Sequence, residues 1–201
     1  RGFHYFSIIT FPISIGLAFV ILPILKILYG VEYVPQQYEF SLSITAVLFS
    51  LIIIGNVFSN FYKMLFDAEE KPHIPAIIII VASFFNIILN LVFISFLIKI
   101  NPSYGLIGAA IATFITNYGV LVVIAISSQN KLKIFPQRNS IIKPLIASLL
   151  MLGYLFVFTR ITQLNIPKGI IMILSAAAFY AIVLFLIKGV DKSEIQKLKF
   201  T

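Results

Sequence analysis

Long runs of apolar residues without a charged side chain limit what this chain can fold into more than any other feature. The clearest example runs from Ala76 to Ser128 and is broken only at Lys99 and the short segment 101–105. Each side of that break holds the ~20 apolar residues that a helix needs to cross a bilayer core. Pro102 has no N–H to extend a helix and marks the turn. The sequence therefore predicts a helical hairpin that spans the membrane.

The composition extends this interpretation to the whole chain. Hydrophobic residues make up 60% of the sequence and charged residues 11%, which is about half the charged fraction of a soluble domain. Long uncharged runs favour helices over the alternating strands of a barrel, because a helix satisfies its own backbone groups in lipid. We therefore expect an all-α polytopic membrane protein in a lipid bilayer. Six spans are predicted, over residues 5–29, 40–62, 76–98, 105–128, 141–158 and 169–187.

Amide side chains supply most of the strongly polar groups in or beside these spans. Asn56, Asn60 and Lys63 recur at helical spacing and share one face of the second span. They fit either hydrogen bonding between helices with a snorkelling lysine, or a wall that binds sugar hydroxyls or phosphate. An amide both donates and accepts, which suits uncharged polyhydroxyl ligands. The candidate residues for a substrate cavity are Asn56, Asn60, Lys63, Asn86, Asn90 and Asn117.

The two arms of the hairpin place amides at similar depth. Asn86 lies 16 residues before Pro102 and Asn117 lies 15 residues after it, which is roughly 23 Å along each arm at ~1.5 Å per residue. Because an unpaired amide is costly at that depth, each is expected to face the bundle interior. Either the two amides bond across the hairpin, or they line a polar cavity together with Asn90.

Small residues at the start of the second arm predict close helix packing. Gly105, Gly108 and Ala112 crowd one end of this arm. Gly108 and Ala112 have the small-xxx-small spacing that lets two helix backbones approach closely in lipid.

The first span contains residues that predict a bend. Pro12 and Pro23 each remove one hydrogen bond from a helix, and Gly16 lies between them. We expect a hinge at Pro12, Gly16 and Pro23.

The sequence indicates no metal, cofactor or catalytic site. It contains no cysteine, so a disulfide or thiolate site is excluded. Acidic residues and a histidine cluster only between Asp67 and His73, where the spacing fits no established ligand motif and a solvated loop is expected. No nucleophile with an arranged base is recognised, so we do not expect an enzyme. The net charge of +8 comes from basic residues at helix ends and in loops, which does not indicate a nucleic-acid partner.

The distribution of charge predicts the orientation. With six spans and both ends in the cytoplasm, 11 of the 15 basic residues lie on the cytoplasmic side and four outside. Cytoplasmic loops carry such an excess, so we expect a multi-pass protein of the cell membrane with both ends cytoplasmic. All seven acidic residues lie outside the predicted spans, which counts against a self-contained ion-coupled exporter.

The hairpin also resembles a known family. Its order FNIILNLVFI, then NPSYGLIGAAIAT, is similar to the C-terminal half of polysaccharide and lipid-linked oligosaccharide flippases of the multidrug/oligosaccharidyl-lipid/polysaccharide exporter superfamily. The matching residues are Asn86, Asn90, Gly105, Gly108, Ala109, Ala110, Ala112 and Thr113. The resemblance implies part of the second lobe of a two-lobe transporter, with a four-helix part over 1–143 and an extra helix pair with a cytoplasmic tail over 144–201. A further N-terminal part of the same protein is then expected before Arg1.

The function implied by the resemblance is translocation of lipid-linked oligosaccharide across the membrane for surface polysaccharide or glycan assembly. No covalent chemistry or cofactor is implied. The expected partners are the bilayer, the lipid-linked glycan and the N-terminal part of the same chain. The alternatives are a multidrug or lipid II exporter of the same superfamily, a membrane-embedded glycosyl- or acyltransferase, and a structural membrane subunit.

Overall fold

A computed structural model describes residues 2–30, 35–132, 139–162, 166–187 and 189 of the chain. The elements are α1 Gly2–Tyr29, α2 Gln36–Ala68, α3 His73–Ile98, a 3₁₀ helix Pro102–Tyr104, α4 Gly105–Leu132, α5 Asn139–Ile161 and α6 Ile166–Leu186. Each of the six α-helices is long and apolar enough to cross a membrane. The predicted all-α polytopic membrane fold with six spanning helices is therefore confirmed. The basic loop 133–138 and the tail 190–201, which contribute to the orientation prediction, lie outside the described residues.

The chain divides into two compact units. The first comprises residues 1–19 and 136–201, and the second comprises residues 20–135. The first unit holds the start of α1 with α5 and α6, and the second holds the end of α1 with α2, α3 and α4. The division within α1 falls between Gly16 and Pro23. The later division follows residue 135, whereas the sequence placed a domain boundary after residue 143.

In the second unit, α4 packs against both α2 and α3. Helices α3 and α4 are antiparallel, as expected for the arms of a hairpin. Helices α2 and α4 are parallel, because Phe40 near the start of α2 lies beside Tyr104, with ring centroids 6.2 Å apart, and Gly55 farther along α2 lies beside Tyr118. This parallel pair is not among the features predicted from the sequence.

The α2–α4 interface, which we call the parallel seam, has the spacing of a coiled coil. Gly55 lies beside Asn117 at one level of the seam, and the other positions are assigned from there by three-four spacing along both helices. On α2 they are Ser41, Thr45, Leu48, Ile52, Gly55, Ser59, Tyr62 and Phe66, and on α4 they are Ile107, Ala110, Phe114, Asn117, Leu121, Ile124 and Ser128. Most of these side chains are buried, and the small ones on α2 allow the two backbones to approach.

Helix α2 is longer than its predicted span. It has 33 residues, because nothing directly after Tyr62 breaks a helix. Glu39 and Asp67, which the sequence analysis placed outside the spans, are therefore both helical. At ~1.5 Å per residue α2 measures roughly 50 Å, against ~30 Å for a hydrocarbon core. The two end turns that carry these carboxylates therefore extend past the core.

The connection from α2 to α3 is shorter than the predicted loop. The helix ends in a Schellman turn, in which the Lys71 amide donates to the Phe66 carbonyl at 2.8 Å and Glu70 adopts a φ of 56°. Helix α3 already begins at His73, and Pro75 lies in its first turn. A proline is tolerated there because first-turn amides have no partner within the helix. The prediction of a loop from Asp67 to His73 was therefore wrong at both ends.

The first unit joins α1, α5 and α6. Helices α5 and α6 contact each other through the stacked rings of Tyr154 and Phe179, whose centroids are 5.0 Å apart. The Tyr180 hydroxyl of α6 donates to the Ile8 carbonyl of α1 at 2.8 Å. Pro12 has no N–H to bond that carbonyl within α1. Tyr180 thus supplies the donor that the proline removes.

Helix α5 begins earlier than the predicted span over residues 141–158. It starts at Asn139, and Pro144 lies inside the helix. The first turn therefore comes earlier in the chain. Ser148, one turn later, donates from its hydroxyl to the Pro144 carbonyl at 2.8 Å.

Candidate functional site

The turn of the hairpin is built around Asn101 and Pro102. The Asn101 carboxamide oxygen accepts hydrogen bonds from the Ser103 amide at 3.0 Å and from the Ser103 hydroxyl at 2.9 Å. Pro102 begins the 3₁₀ helix, where its missing N–H leaves no bond unmade. The predicted hairpin with its turn at 101–105 is confirmed.

Gly108 brings α4 directly against the backbone of α3. A Cβ atom built on Gly108 would lie 2.9 Å from the Phe93 carbonyl group and from the Ile94 nitrogen. At Gly105, a Cβ would meet side-chain atoms of α3 at 3.0 Å. Ala112, one turn after Gly108 on the same face, is fully buried. The residues predicted to pack closely therefore lie where the hairpin arms touch or are buried beside that contact.

A chain of hydrogen bonds links the polar side chains of the hairpin. Asn90 donates to the Asn86 carboxamide oxygen at 2.9 Å, and Asn86 donates to the Thr116 hydroxyl at 3.1 Å. Thr116 in turn donates to the Ala112 carbonyl at 2.9 Å. Asn86 therefore bonds across the hairpin, but its partner is Thr116. The expectation that Asn117 would be that partner was wrong, because Asn117 lies ~100° farther round α4.

Tyr118 flanks the parallel seam on one side, whereas the carboxamide of Asn117, a seam position, is directed toward the other side. A Cβ built on Gly55 of α2 would lie 3.5 Å from the Tyr118 ring and 3.8 Å from the Asn117 Cβ. The Tyr118 hydroxyl donates to the Leu51 carbonyl at 3.0 Å, which places Tyr118 on the Leu51 side. The Asn117 carboxamide donates to the Thr113 carbonyl at 3.1 Å, on the other side.

The polar residues of α2 lie on the same side as Asn117. At ~100° per residue, Leu51 and Asn56 fall on opposite flanks of the seam positions of α2. Asn60 and Lys63 follow Asn56 along its flank. On α4, Thr113 lies on the same side, and Thr116 lies farther round the helix, where it accepts from Asn86 of α3. We call this side of the second unit the amide face, and its members are Asn56, Asn60, Lys63, Thr113, Thr116 and Asn117, with Asn86 bonded at its edge.

The candidate residues separate into two groups by exposure. Asn56 and Asn60 are exposed, and the half-buried Lys63 donates to the Asn60 carboxamide oxygen at 3.0 Å. Asn86 and Asn90 are half-buried, and both use their amides within the hairpin. The exposed group is therefore accessible to a ligand, whereas the second group stabilises helix packing.

The exposed amides lie within the hydrocarbon depth of α2. The midpoint of this helix is Ile52, and Asn56 and Asn60 lie roughly 6 and 12 Å from it at ~1.5 Å per residue. Half of a bilayer core is about 15 Å thick. Lys63, roughly 17 Å from the midpoint, reaches the edge of the core.

The three expected hinge residues lie in a helix that is continuous from Gly2 to Tyr29. The carbonyl freed by Pro12 is bonded by Tyr180. A Cβ on Gly16 would make ordinary contact with Met151 at 3.4 Å. Pro23 belongs to the second unit. A bend at these positions stays a prediction.

The acidic residues do not converge on a metal site in the part of the chain that the structure describes. Glu39 of α2 pairs with Lys26 of α1 at 2.6 Å. Both side chains are partly exposed, so the pair is worth at most about 1 kcal/mol. It holds together the ends of two consecutive helices.

Comparison with known proteins finds no relative of this chain. No family model, curated protein or solved structure matches it.

Proposed function

We propose that this chain is part of a membrane transporter that moves lipid-linked oligosaccharide between the leaflets of the cell membrane. The supporting observation is the pair of exposed amides, Asn56 and Asn60, at hydrocarbon depth on a spanning helix. A polar group that faces lipid at this depth costs free energy, so polar residues in spans commonly face a bundle interior or a water-filled cavity. The amide face then lines the pathway of a polar substrate.

The chemistry of the amide face suits a glycan. Each carboxamide offers two donors and an acceptor, which matches sugar hydroxyls without requiring charge. Lys63 follows Asn56 and Asn60 along α2 and adds one positive charge. Its ammonium group donates a hydrogen bond to the Asn60 carboxamide oxygen at 3.0 Å. An ammonium group there suits the phosphate that links a sugar to its lipid carrier. The resemblance of the hairpin to polysaccharide flippases points to the same substrate class.

The orientation follows from the distribution of basic residues. With both ends in the cytoplasm, α2 runs inward and Lys63 lies near the cytoplasmic edge of the core. The phosphate of a substrate made in the cytoplasm would meet Lys63 first, and the sugars would meet Asn60 and Asn56 next.

A transport assay with matched asparagine variants tests the proposal. The full-length protein that contains this chain is reconstituted in vesicles with fluorescent lipid-linked glycan, and translocation is measured with and without an ion gradient. Asn56→Leu and Asn60→Leu should slow translocation at least about tenfold, the effect of losing about 1.4 kcal/mol of substrate interaction. Asn86→Leu is the control, because its amide is used in packing, and it should transport at the normal rate.

The opposite results would remove the basis of the proposal. The first is that the Asn56→Leu and Asn60→Leu variants fold and translocate the glycan at the normal rate. The second is that the protein transports a cationic drug and does not move the glycan. A covalently altered glycan after incubation would indicate a transferase in place of a transporter.

A further inference from the structure

An apolar groove runs between α3 and α4 in the second unit. Its volume is about 390 Å³, within the range of pockets that hold small molecules. Along α3 it extends from Ile77 to Leu89, roughly 18 Å at ~1.5 Å per residue. Phe85 forms part of one wall, and Gly119 and Val123 of α4 form part of the other. Nearer the start of α4, Gly108 closes the hairpin interface against the α3 backbone.

The lining offers no polar group to a ligand. Thr116 has the only polar side chain among the lining residues. Its hydroxyl already accepts from Asn86 and donates to the Ala112 carbonyl. No charged side chain lines the groove, so it complements an uncharged hydrocarbon and not a headgroup or a sugar.

The dimensions match one hydrocarbon chain in one leaflet. A length of roughly 18 Å is close to the ~15 Å of half a bilayer core.

Gly119 leaves the groove open. A Cβ built on this residue would meet no atom within 4 Å, although Gly119 lies in the middle of a membrane-spanning helix. A larger side chain at this position would project into space that is otherwise empty of protein.

We propose that the groove binds one acyl chain of a bilayer phospholipid, in the leaflet nearest the start of α3. Phospholipid is the most concentrated hydrocarbon around a spanning helix, so mass action favours it as the occupant. The bound chain would complete the packing of the hairpin along the part where α3 and α4 leave a gap. This site does not depend on which substrate is transported.

Single-tryptophan variants of the whole chain provide the test, because the sequence contains no tryptophan. Phe84 and Phe85 are similarly exposed, at 66% and 60%, but only Phe85 lines the groove. Phe85→Trp and Phe84→Trp are purified in detergent, and phosphatidylcholine with brominated acyl chains is titrated in. Quenching of Phe85→Trp should saturate near one lipid per protein, and quenching of Phe84→Trp should rise weakly without saturating.

The second part of the test uses a substitution whose side chain fills the groove. Gly119→Phe added to Phe85→Trp should weaken saturable quenching at least about tenfold. Gly153→Phe is the matched control, since a Cβ on Gly153 also meets no atom within 4 Å, and it should leave quenching unchanged. Helicity by circular dichroism identifies variants that do not fold. If Gly119→Phe is among them, the comparison of Phe85→Trp with Phe84→Trp still decides.

Three results would overturn the proposal. Equal quenching of Phe85→Trp and Phe84→Trp would show that the groove does not retain lipid. Stronger displacement by polyprenyl phosphate than by phosphatidylcholine would assign the groove to the carrier chain of a substrate. Protection from quenching that grows with protein concentration would show that a second copy covers the groove.

Discussion

The close contact at Gly108 leads to a quantitative prediction about the hairpin. A Cβ at this position would lie 2.9 Å from backbone atoms of Phe93 and Ile94, whereas two carbon atoms pack best at about 3.5–4.0 Å. Gly108→Ala therefore has to move α3 and α4 apart by at least about 0.5 Å. Backbone atoms cannot rotate away as a side chain does, so the whole contact has to shift.

Two other glycines of α4 make a matched series. At Gly105 the added Cβ would meet only side-chain atoms of α3, at 3.0 and 3.2 Å, and at Gly119 it would meet nothing within 4 Å. Gly108→Ala and Gly119→Ala both lie inside α4 and gain a similar helix preference of up to ~1 kcal/mol, so the difference between them reports packing. Overpacking costs about 1–3 kcal/mol. Gly108→Ala should therefore be about 1–3 kcal/mol less stable than Gly119→Ala, and Gly105→Ala should lie between them.

The measurement is reversible unfolding of the purified chain in mixed micelles, with sodium dodecyl sulfate as denaturant and far-ultraviolet circular dichroism as the signal. The midpoint should be lowest for Gly108→Ala and highest for Gly119→Ala. Equal midpoints for the two variants, or a higher midpoint for Gly108→Ala, would refute the contact that the structure gives to Gly108.

Three further predictions concern individual bonds and orientation. Tyr180→Phe should lower the free energy of unfolding by about 1–2 kcal/mol, because it leaves the Ile8 carbonyl without a donor. The loss should be smaller in a Pro12→Ala background, because the new amide of Ala replaces that donor. Equal losses in the two backgrounds of this double-mutant cycle would contradict the prediction. Asn86→Leu should lower stability by ~0.6 kcal/mol, the average for a hydrogen bond between membrane helices; unchanged unfolding would show that the bond across the hairpin contributes nothing. Lys99→Cys should react with an impermeant thiol reagent added to intact cells and Lys71→Cys should not, and the reverse labelling would invert the proposed orientation.

Much of the fold could be predicted from the sequence because lipid imposes one strong rule. A chain that enters the bilayer has to satisfy its backbone groups locally, so each uncharged run of sufficient length becomes a helix. The hairpin turn at Pro102 could also be predicted from the sequence, because a proline next to polar residues ends an uncharged helical run. Helix ends were less well predicted. In α2 the helix continued to Ala68, because end turns beyond the core can remain helical without being apolar.

The candidate site was only partly predictable. Helical spacing alone placed Asn56 and Asn60 on one face, and the similar depth of Asn86 and Asn117 gave a bond across the hairpin as one of two alternatives. Spacing did not reveal that Thr116 would be the partner, since that depends on how α4 is rotated between its two neighbours. The three-four spacing of the parallel seam was present in the sequence and is the signal that was missed.

The sequence by itself determined that the chain forms six membrane helices, that two of them form a hairpin and that amides lie at hydrocarbon depth. These properties depend on length, apolar content and local spacing, which are fixed before any helix meets another. Only the tertiary structure decided that α2 lies parallel to α4, that Asn86 is used in packing while Asn56 stays exposed, and that a groove opens beside Gly119. These properties depend on which faces of neighbouring helices fit together, and in lipid that choice comes from close packing and a few hydrogen bonds.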